Sequence, residues 1–231
     1  MIVTRPEPKG AAFAAGLRPY LSDVKVILSP AFDIVPTSVT ADLGKVEGVV
    51  FTSAHGVGAV DLPVGLRAWC VGEKTAAAAV AAGFDVVVGP GDAAGLLDVI
   101  GKQSRRGLLA HIRGKHTRGE VAETLSRMGI SCLDIVAYDQ RRRDLTSDAL
   151  AVLKGENPVV LPLFSPRTAA ILASQGPFTA PLHLVVMSDA VKRAAAGLCA
   201  ETVIVAAQPN EKAMQDATVT CVGALVQKRN G

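Results

Sequence analysis

The sequence lacks an apolar run of the roughly 18 residues that a membrane-spanning helix needs. This absence is informative because 49% of its 231 residues are hydrophobic and the mean hydropathy is +0.34. The opening segment, MIVTRPEPKG, has neither the basic start nor the long apolar middle and small-residue cleavage site of a secretion signal. We therefore expect a cytoplasmic protein without a membrane anchor.

The excess of positive over negative charge is also small. The formal net charge is +3, and Lys and Arg form neither a long tract nor a pattern interleaved with aromatic residues. Nucleic-acid binding needs a concentrated basic surface, so the sequence disfavours it. The densest basic segment, QRRRD at 140–144, is interpreted as a solvated connector, with guidance of an acidic ligand as the alternative.

Cysteine is sparse, and the chain has no C-x-x-C pair and no histidine at the spacing of a metal site. The four cysteines stand singly in apolar segments, at Cys70, Cys132, Cys199 and Cys221. We expect buried free thiols and no metal site.

Motifs for nucleotide cofactors and for hydrolysis are missing as well. Neither RPEPKG nor VGEKTA matches the P-loop or the glycine-rich dinucleotide fingerprint. His111 and His183 lie in predicted strands, where a structural role is expected. His55 follows a turn and His116 opens a predicted helix, so neither is a convincing base for a nucleophile. The sequence predicts a binding cleft without an acid–base pair.

Short apolar runs rich in Val and Ile alternate with Ala-rich stretches of helical length. This pattern is typical of βαβ units around a parallel sheet and predicts the α/β class. Ten strands favour two five-stranded sheets over one sheet, and they are predicted at 1–4, 24–28, 48–51, 68–71, 86–88, 108–112, 132–136, 159–164, 183–186 and 202–206.

An internal repeat occurs in an unusual order. FTSAHGVGAV, AWCVGEKTAAAAVAAG and FDVVVGPGDAAGLLDVI resemble the later LFSPRTAAIL, LVVMSDAVKRAAAG and ETVIVAAQPNEKAMQDA. The N-terminal unit instead resembles the unit that begins AHIRG, with Arg5 aligned on Arg113. This order predicts two similar domains, one inserted into the other and joined by a two-stranded linker. The discontinuous domain comprises 1–36 plus 145–231, the inserted domain comprises 43–135, and 37–42 and 136–144 are linkers.

In parallel sheets, ligands bind where strands end and helices begin. The predicted ends carry hydroxyls, glycines or arginine, which suit a ligand with many carboxylates. The candidate binding residues are Arg5, Thr52, Ser53, Gly72, Thr75, Arg113, Ser165, Ser188 and Asn210. For Ser53, in FTSAHG, two alternatives stay open: it caps the following helix, or the helix start receives an anion. For Arg5 and Arg113, the alternatives are ligand binding and stabilisation of their own loops.

Seven motifs in order, TRP, FTS, VGEKTA, HIRG, VAYDQ, LFSP and AAQPNEKAM, resemble those of the uroporphyrinogen-III synthase family. The resemblance spans nearly the whole chain. It implies a monomeric two-domain α/β enzyme of this interleaved topology that needs no metal or organic cofactor. The alternative from the residues alone is a non-catalytic two-domain protein that binds a polyanionic ligand.

The resemblance also implies a reaction. Hydroxymethylbilane, a linear tetrapyrrole with eight carboxylates, is closed to uroporphyrinogen III with loss of water and inversion of ring D. Porphobilinogen deaminase is the expected source of the substrate. Matched to the family, Tyr138 becomes the catalytic residue that assists departure of the hydroxyl, and Ser53, Thr75 and Ser165 become substrate contacts.

Four residues at three sites depart from the family pattern. Lys9 stands where glutamine is common, and His55-Gly56 stands where Asn-Ala is common. In the turn MSDAV, Ala190 occupies the place of a threonine. The last change removes a hydroxyl from the expected cleft, while the backbone N–H donors of that turn are retained.

Overall fold

The computed structural model describes residues 1–21, 24–103, 107–116 and 120–230. Contacts between Cα atoms divide the chain into two compact units. Unit 1 consists of Met1–Asp33 and Arg141–Gly231, and unit 2 consists of Ile34–Gln140. Within the described ranges, no helix is both long and apolar enough to cross a membrane.

Strands and helices alternate along most of the chain. The described residues form the strands β1 (Ile2–Val3), β2 (Ile27–Leu28), β3 (Phe32–Pro36), β4 (Gly48–Phe51), β5 (Arg67–Cys70), β6 (Asp85–Val88), β7 (Leu109–Gly114), β8 (Cys132–Arg142), β9 (Val159–Leu163), β10 (Leu182–Val186) and β11 (Thr202–Val205). They also form the helices α1 (Lys9–Leu17), α2 (Ala54–Val57), α3 (Glu73–Ala81), α4 (Ala93–Lys102), α5 (Val121–Arg127), α6 (Ser147–Leu153), α7 (Pro166–Ala173), α8 (Asp189–Ala194) and α9 (Glu211–Asn230).

The sheet of unit 2 has the strand order β3-β8-β7-β4-β5-β6, and the pairs from β8 to β6 are parallel. The predicted α/β class with parallel sheets flanked by helices is therefore confirmed. Two features differ from the prediction: β3 was not foreseen, and β8 continues past Val136 through the predicted linker as far as Arg142. The polar residues of β3 and Pro36 at its end are typical of a connector in sequence. Because β3 is an edge strand of the sheet, it tolerates them.

In unit 1 the hydrogen-bond ladder is interrupted, so the predicted single five-stranded sheet is wrong. Strands β1 and β2 form one pair, while β11, β10 and β9 form a separate three-stranded sheet. In β9, Val159 and Leu163 hydrogen-bond towards the β10 side, so Val160 and Pro162 face the opposite side, where β1 contacts β9. Pro162 has no N–H to donate there, which removes a ladder bond between β9 and β1.

In each unit, alternate strand residues fill a core on either face of the strands. In unit 1, Leu161 and Leu184 contribute to the cluster that includes residues of α6 and α7, whereas Val160 and Val185 contribute to the cluster with α1 and α9. This two-residue period is what sheets covered on both faces require. The cysteines follow the cores only in part, because Cys70 and Cys221 are buried, Cys132 is half-buried and Cys199 is exposed.

The prediction of a buried thiol is thus wrong for Cys199. This residue adopts a left-handed φ of 38° directly after the 3-10 turn Ala196–Leu198, where the chain leaves the core. The short apolar segment that suggested burial therefore ends one residue earlier, at Leu198, which is buried.

A histidine lies within the apolar row of unit 2. Trp69, Val50, His111 and Asp134 face one another across four adjacent strands, and His111 is fully buried. Burial lowers the pKa of His111 to about 4, against a smaller raising effect of the Asp134 charge. The imidazole is therefore neutral at neutral pH, in agreement with the structural role predicted for it.

This burial predicts a pH dependence of stability. The unfolded chain takes up a proton on His111 near its ordinary pKa of 6.5, whereas the folded chain does so only near 4. Stability is therefore lost as the pH falls through this window, by roughly 2 kcal/mol between pH 7 and 5 and about 3 kcal/mol in full. Urea unfolding of the wild type and of His111→Gln at both pH values measures it. Equal losses in the two proteins would contradict the assignment to His111.

Candidate functional site

Parallel pairing brings several candidate residues of unit 2 to one edge of its sheet. Phe51 of β4 is level with Cys70 of β5 and with Ile112 of β7. The chain positions that follow these strands therefore share the carboxyl edge, where ligands bind in open parallel sheets. The candidates at this edge are Thr52, Ser53, Gly72 and Arg113.

Ser53 is the N-cap of α2. Its backbone is extended, and its Oγ accepts a hydrogen bond from the backbone N–H of His55 at 3.3 Å. The structure therefore shows the capping alternative directly, while a contact between Ser53 and an anion remains a prediction. Helix α2 spans only Ala54–Val57, so its dipole contributes little to such a contact.

Gly72 and Thr75 surround the start of α3. Gly72 is the N-cap and its carbonyl accepts from the N–H groups of Thr75 and Ala76. No side chain makes a capping hydrogen bond at the start of this helix. Thr75 is only 5% exposed and lies on the buried face of α3. The N-cap of this helix is Gly72 and not Thr75. The contact between Thr75 and substrate stays a prediction.

Arg113, at the end of β7, is bound to Asp134 of β8. Its Nε and Nη2 donate to the two carboxylate oxygens at 2.6 and 2.5 Å, and Nη1 donates to the carbonyl of Gly114 at 3.2 Å. The hydrogen bonds between Arg113 and Asp134 lower the pKa of the Asp134 carboxyl and raise the pKa of the Arg113 guanidinium. A planar two-point pair of this kind is geometrically specific. It supports the alternative in which Arg113 stabilises its own loop.

Tyr138 lies in β8 and is only 3% exposed. It is level with Gly114 across a register irregularity, and its ring centroid is 6.0 Å from that of His55. A Cβ added at Gly114 would lie 2.4 Å from the ring atom Cε2 of Tyr138. Glycine is therefore required at position 114 by the close approach of the tyrosine ring.

The candidates of unit 1 include three helix starts. Ser165 precedes α7 and accepts from the N–H of Thr168 at 3.1 Å, and Asn210 precedes α9 and accepts from the N–H of Ala213 at 2.9 Å. Ser188 is the N-cap residue of α8, but its side chain makes no capping hydrogen bond. Ser188 is therefore the one of these three residues whose side chain makes no capping hydrogen bond.

Arg5 connects three elements of unit 1. Its Nη1 donates to Glu211 of α9 at 3.0 Å, and its guanidinium carbon lies 4.0 Å from the ring centroid of Phe164, which follows β9. The Arg5 side chain is 12% exposed. An ion pair combined with a cation–π contact holds the start of α9 against the end of β1, which supports a stabilising role.

Sequence reasoning missed a pair of residues at the edge of unit 2. Nε2 of His111 lies 3.1 Å from Oγ1 of Thr52, and Nδ1 of His111 lies 3.7 Å from Oδ1 of Asp134. Thr52 was predicted as a binding residue and His111 as structural, so their contact was not foreseen. The two-residue period that puts His111 and Arg113 on one face of β7 is the signal that would have suggested it.

The chain is similar to known proteins in sequence and in fold. The family model described as "Uroporphyrinogen-III synthase HemD" matches residues 20–216. Among curated proteins, none matches this chain. The solved uroporphyrinogen-III synthetase from Helicobacter pylori has a TM-score of 0.67 at 15% identity, over 85% of this chain and 93% of that chain. A mutant uroporphyrinogen III synthase from Thermus thermophilus has a TM-score of 0.54 at 16% identity, over 92% of this chain and 94% of that chain.

At these identities the structures establish a shared fold, and the family model reaches further because it matches most of the sequence. It also confirms the resemblance seen in the seven motifs. The chain belongs to the uroporphyrinogen-III synthase family.

Proposed function

We propose that this protein closes hydroxymethylbilane to uroporphyrinogen III, with inversion of ring D and loss of water. The observation that carries the proposal is the family match over residues 20–216. Because water leaves the substrate during closure, the enzyme is a hydro-lyase. The same match makes it an enzyme of tetrapyrrole biosynthesis, and the comparisons give no support to a non-catalytic binding protein.

The substrate carries eight carboxylates, and the strand ends of both units offer groups that bind anions. Backbone N–H groups at helix starts are ready-made donors for such ligands. In α3 these donors have no capping side chain, and in α8 the hydroxyl of Ser188 also makes no capping bond. The residues proposed for substrate binding are Arg5, Thr52, Ser53, Gly72, Thr75, Arg113, Ser165, Ser188 and Asn210. Among them, Arg5 and Arg113 are already paired with carboxylates of the protein, so any contact they make with substrate adds to their stabilising role.

The chemistry asks little of protein side chains. The terminal hydroxyl takes up a proton and leaves as water, and a substituted pyrrole carbon attacks the azafulvenium cation that remains. The resulting spiro intermediate fragments to a second azafulvenium, which closes again with loss of a proton. The reactive groups belong to the substrate, so the enzyme must hold one conformation of a flexible chain. Positioning of this kind contributes up to about 7–11 kcal/mol to catalysis where geometry is well fixed.

Tyr138 is the proposed catalytic residue. Its phenol donates a hydrogen bond to the departing hydroxyl. The close packing of its ring on Gly114 supports this role, because it fixes the ring direction. The low exposure of Tyr138 means that only a small part of the side chain is available for this contact.

Other parts of the proposal come from the sequence resemblance and the repeat. They are a discontinuous domain of 1–36 plus 145–231, an inserted domain of 43–135, a cytoplasmic monomer, and receipt of the substrate from porphobilinogen deaminase. Sedimentation at several protein concentrations measures the oligomeric state.

A coupled assay tests the activity. Porphobilinogen and its deaminase generate hydroxymethylbilane, this protein is added, and the products are oxidised and separated as porphyrin isomers. We expect the type III isomer with the protein and the type I isomer, from spontaneous closure, without it. Type I alone in both reactions would reject the proposed function.

Tyr138→Phe tests the catalytic residue. Removal of one hydrogen-bond donor should slow turnover several-fold, because the leaving hydroxyl loses its partner, while the ring still packs on Gly114 and the protein stays folded. Tyr20→Phe is the matched control, since Tyr20 is 66% exposed and lies in unit 1. Equal turnover in Tyr138→Phe and wild type would remove Tyr138 from the mechanism.

Gly114→Ala tests the packing beneath the same ring. The added methyl overlaps the ring of Tyr138, so we expect a loss of about 1–3 kcal/mol in unfolding free energy together with slower turnover. Gly58→Ala is the control, because a Cβ at Gly58 has no atom within 4 Å. Wild-type stability and turnover in Gly114→Ala would show that Tyr138 does not depend on this contact.

A further inference from the structure

Four side chains form a polar chain that begins inside the unit 2 sheet and reaches its carboxyl edge at Thr52 and Arg113. Oγ1 of Thr52 lies 3.1 Å from Nε2 of His111, and Nδ1 of the same ring lies 3.7 Å from Oδ1 of Asp134. Asp134 is in turn held by Arg113 through two hydrogen bonds. The order of the chain is therefore Thr52, His111, Asp134, Arg113.

The charges along this chain are defined by their neighbours. Hydrogen bonds from Arg113 lower the pKa of Asp134, so Asp134 is a carboxylate at neutral pH. Burial lowers the pKa of His111 to about 4, so its ring carries one proton on one of two nitrogens. Cys132, two residues before Asp134 in β8, has its pKa raised by burial to about 11 and is a neutral thiol.

The carboxylate selects which nitrogen of His111 carries the proton. Nδ1 is buried and has no hydrogen-bond partner among the described residues, and the acceptor facing it is Oδ1 of Asp134. If Nδ1 carries the proton, the positive end of the N–H bond faces the Asp134 carboxylate, which is favourable. If Nδ1 instead carries a lone pair, that lone pair faces the negative carboxylate and has no donor to accept from. The neutral ring is therefore protonated on Nδ1, and Nε2 is an acceptor.

This tautomer fixes the direction of the bond to Thr52. If Nε2 carries no proton, the 3.1 Å contact is a hydrogen bond donated by the Thr52 hydroxyl. A threonine hydroxyl has one proton to give, so the remaining capacity of Oγ1 is that of an acceptor. Thr52 is half-buried, so the residue is not sealed inside the core.

We propose that His111 and Asp134 hold Thr52 as a hydrogen-bond acceptor for an N–H group of the ligand. The proposal rests on the proposed function, in which the substrate offers N–H donors at its pyrrole nitrogens. Its carboxylates are ionised and carry no proton, so they bind other groups of the site. His111 and Asp134 are positioning residues, and Thr52 is the residue that touches the ligand.

Unit 1 contains a matching arrangement with the ring reversed. In β10, Nδ1 of His183 lies 2.8 Å from Oγ1 of Thr202, and Nε2 of His183 lies 3.7 Å from Oε2 of Glu201. The same geometric argument favours the tautomer of His183 with a proton on Nε2, the nitrogen that faces the carboxylate. Thr202 is the first residue of β11 and therefore lies at the amino end, away from the ligand-binding edge.

Nitrogen-15 NMR of the uniformly labelled protein tests the tautomers without substrate. At pH 8 we expect His111 to be protonated on Nδ1 and His183 on Nε2, with the signals assigned by their loss in His111→Gln and His183→Gln. In Asp134→Asn the population of the Nδ1-protonated form of His111 should fall. A ring of His111 protonated on Nε2 in the wild type would overturn the proposal.

Steady-state kinetics test the ligand contact. Thr52→Val removes the acceptor and should raise KM for hydroxymethylbilane two- to tenfold, the range expected for one hydrogen bond, while Thr52→Ser keeps the wild-type value. Thr202→Val is the matched control and should leave KM unchanged. Wild-type KM in Thr52→Val, with the expected tautomers, would overturn the ligand contact. Absence of type III product from the wild type would instead reject the proposed function, and the tautomer result would be unaffected.

Discussion

Parallel pairing of strands is the constraint on which the candidate site depends. Paired parallel strands end at the same edge of the sheet. Residues that are far apart in sequence but lie at the ends of adjacent strands therefore become neighbours. Thr52 follows β4 and Arg113 lies near the end of the adjacent β7, and they are neighbours because Phe51 is level with Ile112. The same rule applies to Ser165 and Ser188 in unit 1, where Leu163 is level with Val186. The fold thus collects polar residues at an edge without any local sequence motif.

Most side-chain hydroxyls and charges at these edges already have partners within the protein. Ser53 and Ser165 accept from helix N–H groups, and Arg5 and Arg113 are paired with carboxylates. Buried or half-buried polar groups must be satisfied for the unit to be stable, so the fold uses them first. We therefore expect anions to bind mainly to backbone N–H groups, which are retained when side chains change. Under this proposal the turn MSDAV, with Ala190, keeps its backbone donors although it lacks the threonine hydroxyl.

The sequence predicted those parts of the structure that depend on local pattern. Alternating apolar runs and Ala-rich stretches predicted the α/β class, and the FTS motif suggested the cap at Ser53 as one of two alternatives. The break beside β9 depends on which side of the strand Pro162 faces, and this follows only from the pairing. The burial of Tyr138 against Gly114 and the pair of Arg113 with Asp134 likewise depend on the register of β7 and β8. Long-range register is not encoded in the spacing of motifs.

The direction of a hydrogen bond carries information beyond its length. A hydroxyl at the edge of a sheet can be a donor or an acceptor, and its partners inside the protein decide between these roles. For Thr52, the carboxylate of Asp134 acts through His111 and leaves an acceptor at the edge. An anionic ligand would be repelled by that oxygen, whereas an N–H donor is attracted to it. A tetrapyrrole presents both kinds of group, so one acceptor placed among many backbone donors distinguishes the ring nitrogens from the carboxylates and helps to select one conformation of the flexible substrate.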